Sequence, residues 1–115
     1  MAQKILILEK DSGVEDVLQQ ALEMSGYEVN ATCDTDLVTS IYKLQPDLLI
    51  LDLWQLDDEQ IHDLKNLRRK KGLPILGTTT GNVGEEKADE VIDDKMGKPF
   101  DIQILEQKVK VLLDQ

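Results

Sequence analysis

The hydrophobic pattern changes period as it runs along the chain. Residues 5–8 (ILIL) form a short continuous apolar run, and Val14, Val17, Leu18, Ala21 and Leu22 then recur at helical spacing. This predicts a strand followed by an amphipathic helix, with Asp11 or Ser12 as N-cap and Gly26 as the stop. The same alternation predicts a strand over 27–32 and a helix over 36–44 with Leu37, Val38, Ile41 and Leu44 inward. After Pro46 comes a strand over 48–53, then a helix over 58–70 carrying Ile61, Leu64 and Leu67. Beyond Pro74 the pattern predicts a strand over 75–78, a polar segment TGNVGEEKADE and a strand over 91–96. A last helix from Asp101 buries Ile102, Leu105, Val109 and Leu112. Gly81 and Gly84 weaken the polar segment as a helix, so a short or irregular fourth helix is expected.

The runs at 5–8 and 48–53 have no polar alternation, which means that both faces of those strands are covered. The expected fold is therefore α/β: a doubly wound parallel sheet with helices on both faces.

A chain of 115 residues fits one domain, 1–115, with no room for a separate output or DNA-binding domain. At 41% hydrophobic and 3% aromatic, with aliphatic clusters separated by charge, it has the composition of a packed chain. Nothing approaches a signal peptide or the roughly 18 apolar residues of a membrane span, so a cytoplasmic protein is expected. A formal net charge of −10 argues against nucleic acid and anionic membranes as partners. The one basic cluster, LRRKKG at 67–72, reads as the dipole-complementing last turn of a helix, stopped by Gly72 and Pro74. Its other reading is a docking patch for an acidic partner. Cys33 is the only cysteine and His62 the only histidine, so neither a disulfide within the chain nor a zinc cage follows, and Cys33 reads as a structural thiol.

In doubly wound sheets, ligands bind beyond the carboxyl ends of the strands. Those ends carry Glu9, Lys10 and Asp11 after the first strand and Asp52 after the third. Thr78, Thr79 and Thr80 follow the fourth, and Lys98 the fifth. Each has an ordinary explanation singly. Together, a carboxylate, a hydroxyl and an ammonium are the parts needed to move a phosphoryl group onto a carboxylate.

From Lys4 onward the chain resembles the receiver domains of two-component response regulators. The resemblance rests on KILILE, PDLLILDL, PILGTTT and KPF, in order and at suitable spacing. It implies a flavodoxin-like sheet of five strands in the order 2-1-3-4-5. It also implies Asp52 as phosphoacceptor, Thr79 as switch hydroxyl and Lys98 as the contact to the acceptor carboxylate and phosphoryl group. Partners would be a sensor kinase, a phosphotransfer protein or a downstream effector, and the domain would be no enzyme beyond its own phosphorylation from a phosphodonor.

Several residues depart from the family pattern. Two adjacent acids usually follow the first strand and hold Mg²⁺ with the acceptor aspartate and a backbone carbonyl two residues beyond it; here they are Glu9 and Lys10. An ammonium offers no lone pair and repels the metal. Bound cofactor is therefore expected to be none, or weak Mg²⁺ on Glu9, Asp11, Asp52 and the Trp54 carbonyl. Either Lys10 stands in for the metal's charge, or Lys10 and Lys98 hold Asp52 in an ion-pair cluster. Leu56 and Gln60 replace the usual proline and glycine, Thr80 replaces a small residue, and Lys95 replaces the switch aromatic. Trp54 is either a lid over the pocket or an indole packed on the third helix.

The leading reading is an atypical stand-alone receiver, an interaction module with a degenerate phosphorylation site. The alternative is a conventional phospho-accepting regulator or phosphorelay intermediate using Asp52. A flavin- or nucleotide-binding enzyme is disfavoured, because EKDSG is not a phosphate-cradling glycine loop.

Overall fold

The computed structural model describes residues 2–32, 37–54, 56–81, 84–98 and 100–114. Cys33, the expected helix start at Asp36 and Pro99 of the lysine turn lie outside them. The elements run β1 (Lys4–Leu8), α1 (Ser12–Met24), β2 (Glu28–Ala31), α2 (Leu37–Leu44), β3 (Leu48–Asp52), α3 (Asp58–Lys71) and β4 (Ile75–Thr79). A 3-10 helix (Glu85–Val91), β5 (Asp94–Gly97) and α4 (Ile102–Leu113) complete the chain. All four strand pairings are parallel, and the sheet order is β2-β1-β3-β4-β5. This is the flavodoxin-like arrangement expected.

Two apolar layers cover the sheet. On one face Leu6, Leu8, Leu49, Leu51 and Ile75 pack against Leu37 and Ile41 of α2, Ile61, Leu64 and Leu67 of α3, and Ala88 and Val91. On the other, Ile5, Ile7, Leu48, Ile50, Leu76 and Met96 meet Leu18, Ala21 and Leu22 of α1 and Leu105, Val109 and Leu112 of α4. Side chains of a strand alternate between faces, so each strand feeds both layers and reads as a continuous apolar run. β3 is buried along its whole length for this reason.

Helix ends follow their local chemistry. The Asp11 carboxylate accepts the Gly13 and Val14 amides at 2.9 and 3.2 Å and so starts α1. Asp57 and Gln60 form a reciprocal capping box at α3, and buried Leu56 precedes it in the core. The two departures from the family pattern after Asp52 therefore serve the entry of α3. Gly72, left-handed at φ 61°, ends that helix.

The basic cluster is in part a strut. Arg68 pairs with Asp93 at 2.6 Å, and the other oxygen of Asp93 accepts the Ile75 amide at 2.7 Å. Lys71 lies 4.9 Å above the Tyr42 ring.

Three expectations shift. Ile102 is 46% exposed rather than buried, and the inward face of α4 is carried by Leu105, Val109 and Leu112. Val17 is likewise exposed on the outer side of α1. β5 begins at Asp94, since Val91 is the last residue of the 3-10 helix. That helix buries Glu85, Ala88 and Val91. Residues three apart eclipse in 3-10 winding, so these three line up on one inward face despite the many acids around them.

Candidate functional site

Strand parity assembles the site. Glu9 follows Ile5 and Ile7, Asp52 follows Leu48 and Ile50, Thr78 follows Leu76, and Lys98 follows Met96, all on the α1/α4 face. Register sets Asp52 beside Thr78, and Thr78 beside Met96. Residues far apart in the chain thus meet at one corner.

The Lys98 ammonium lies 2.9 Å from Glu9 Oε1 and 3.2 Å from Asp52 Oδ1. Glu9 and Asp52 are both buried, 6% and 4% exposed. Glu9 Oε1 also accepts the Asp11 amide at 3.2 Å, and Asp52 Oδ1 accepts the Trp54 amide at 3.0 Å. The Thr78 hydroxyl donates to Glu9 Oε2 at 3.4 Å. One cation therefore bridges two desolvated carboxylates, and backbone amides hold both carboxylates in place.

Burial pushes the Glu9 pKa up and the charge of Asp52 adds to this, against the pull of the Lys98 hydrogen bond and the Asp11 amide. For Lys98, burial works to lower the value, but the hydrogen bond to Glu9 and the charges of Asp52 and Glu9 outweigh it, and the pKa is raised. A raised Glu9 value means that the native state binds protons more readily than the unfolded chain between the ordinary glutamate value, 4.5, and the native one. The stability this group contributes is fully present below the unfolded value and is lost as pH rises through the native value. Glu9→Gln should flatten that limb of the stability curve, measured by urea unfolding at steps from about pH 4 to pH 7. An unchanged slope would show that Glu9 is not desolvated.

Lys10 is exposed at the rim, and the ammonium in contact with Glu9 and Asp52 belongs to Lys98. The Asp11 carboxylate is committed to the α1 cap. Trp54 is 43% exposed beside Asp52. Lys95 is exposed on β5 and pairs with Asp89 at 3.0 Å. Thr79 falls with Ile75 and Gly77 on the opposite face from Asp52, and its hydroxyl donates to Glu85 Oε2. Thr80 donates to Glu85 Oε1 at 3.2 Å. Among the described residues no group of three or more His, Cys, Asp or Glu side chains could hold a metal ion.

The strand-end pattern includes Thr78 without giving it a role, and it does not include Glu85. Parity with Asp52 points to Thr78. The spacing of Glu85, Ala88 and Val91 was the available signal for Glu85.

No family model matches the chain. A candidate response regulator from Chloroflexus aurantiacus J-10-fl, known from its crystal structure, is 31% identical with full coverage of both chains and a TM-score of 0.84. The N-terminal domain of the nisin resistance regulator NsrR, a lantibiotic response regulator, is 25% identical over 98% of this chain and 99% of its own, with a TM-score of 0.82. The transcriptional regulatory protein YrkP of Bacillus subtilis, itself uncharacterised, is 30% identical over 95% of this chain. The match spans about half of that relative, 48% of its length. Among the described residues no helix is long and apolar enough to cross a membrane. With this sheet order, a buried aspartate at the end of β3 in contact with a lysine after β5, and these relatives, the chain belongs to the receiver domains of two-component response regulators.

Proposed function

We propose that this receiver works as a protein-interaction module in signalling, with a phosphorylation site that has lost its ordinary metal support. The observation that carries the reading is the lack of free acids at the metal position: Lys10 stands in the acid pair, Asp11 caps α1, and Lys98 bridges Glu9 and Asp52. Mg²⁺ requires several hard oxygen donors in near-octahedral array. Of the oxygens within the family pattern, Glu9 and Asp52 are engaged by Lys98, Asp11 caps a helix, and the position after Glu9 is an ammonium. These residues do not fit a tightly held Mg²⁺. The partner would be a kinase, a phosphotransfer protein or an effector.

A second reading keeps Asp52 as a working phosphoacceptor. It is supported by the Asp52–Lys98 contact and by the hydroxyl of Thr78 next in register. In that reaction a carboxylate oxygen of Asp52 attacks phosphorus and the bond to the donor's leaving group breaks. Lys98 then stabilises the charge on the phosphoryl oxygens.

Acetyl phosphate with intact-mass measurement separates the two, run on the wild type and on Lys10→Asp. The wild type should gain no phosphoryl mass. The variant, with its acid pair restored, should bind Mg²⁺ at least about tenfold tighter in a calorimetric titration, because a hard anion replaces a repelling ammonium. A wild type that gains the phosphoryl mass, or binds Mg²⁺ as tightly as the variant, would favour the second reading.

A further inference from the structure

Glu85 is a buried carboxylate, 6% exposed, and its two oxygens receive the hydroxyls of Thr79 and Thr80. The 3-10 winding places it in line with Ala88 and Val91, both fully buried, so the apolar layer anchors the helix and aims Glu85 at the end of β4. Gly84, left-handed at φ 96°, makes the turn into that helix. The Thr79 oxygen also accepts the Gly81 amide at 2.9 Å. Its donor is therefore spent on Glu85 and its acceptor side on the loop backbone.

A hydroxyl has one proton to donate. If Thr79 serves as a switch, any phosphoryl oxygen on Asp52 must compete for that proton with a carboxylate already in place. Asp52 lies on the other face of the sheet, so Thr79 cannot turn towards it without giving up Glu85.

We propose that Glu85 is a positioning residue that commits the Thr79 hydroxyl within the protein itself, latching the β4 end to the 3-10 helix and insulating that segment from chemistry at Asp52. The consequence for signalling rests on the reading of Thr79 as the switch hydroxyl, while the latch is a property of the fold. A resident anion that already takes the hydroxyl's proton leaves the segment in one arrangement whether or not a phosphoryl group is present.

Hydrogen–deuterium exchange of the whole chain, followed on residues 79–91, tests the latch. Glu85→Leu keeps apolar bulk but removes both acceptors, and Thr79→Val removes the donor with little change of shape. Each should speed exchange across the segment by about threefold or more, and the double variant should fall short of the product of the two singles, because both remove the shared Thr79–Glu85 bond. Wild-type protection in Glu85→Leu would reduce Glu85 to a space filler and overturn the proposal, as would effects that multiply in the double variant. If Glu85→Leu fails to fold, Thr79→Val alone decides, and unchanged exchange there overturns it. Acetyl phosphate added to the wild type should leave exchange at 79–91 unaltered, and acceleration accompanied by phosphoryl mass gain would also refute the insulation. Absence of any mass gain bears on the reading of Asp52 alone, and the exchange comparison among variants still decides the latch.

Discussion

Lys98→Met should destabilise the fold by about 3–5 kcal/mol at neutral pH, the cost of removing one partner from a buried ion pair. The side chains of Glu9 and Asp52 are only 1% and 5% exposed, so water cannot take over the role of the ammonium. Methionine keeps the aliphatic length and leaves two facing carboxylates with no cation between them. In a domain of this size the loss should lower the melting temperature by about 10 °C or more, read by circular dichroism or calorimetry. The effect should shrink in acid, because protonating one carboxylate relieves the repulsion. Combining Lys98→Met with Glu9→Gln should recover much of the loss, since only one buried charge remains. A Lys98→Met protein with wild-type stability at neutral pH would mean that the lysine is not the cation of this site.

The second large effect is steric. A Cβ built on Gly77 would stand 2.9 Å from Leu53 Cδ2, 3.0 Å from Cδ1 and 3.1 Å from Cγ. Leu53 is 2% exposed and directly follows Asp52, so it has little room to retreat. Gly77→Val should therefore cost about 1–3 kcal/mol as overpacking. Gly77→Ala should cost less. Leu53→Ala combined with Gly77→Val should be less destabilised than the two single costs summed, because the smaller side chain makes room for the added methyls. The measurement is denaturant unfolding of the wild type and of these variants. Strict additivity would show that the two residues do not press on each other.

The elements most easily read from the chain are those whose local signals agree with their surroundings. β1 and β3 are apolar throughout because both faces are covered, and α3 carries a cap, an apolar stripe and a glycine stop. The Asp57-x-x-Gln60 capping box before α3 is legible in the sequence, although the family pattern marks Gln60 only as a departure. The 3-10 helix was the hardest segment. Its acids and the glycines that precede it argue against a buried face, and a period of three aligns Glu85, Ala88 and Val91 more closely than 3.6 would.

For the site, strand ends and parity were enough to bring Glu9, Asp52 and Lys98 to one edge, since alternation and parallel pairing are consequences of backbone geometry. Which charges lose their water was decided by packing between distant parts of the chain. Lys98 reaches Glu9 across 89 residues of sequence, while Lys10, one position from Glu9, stays exposed. Glu85 and Glu86 are adjacent acids in the same helix, and winding buries the first and leaves the second in solvent. Thr78 and Thr79 are adjacent hydroxyls that the pleat sends to opposite faces, one to Glu9 and the other to Glu85. Desolvation depends on every element that covers a group, whereas residue type and spacing record only the group and its near neighbours.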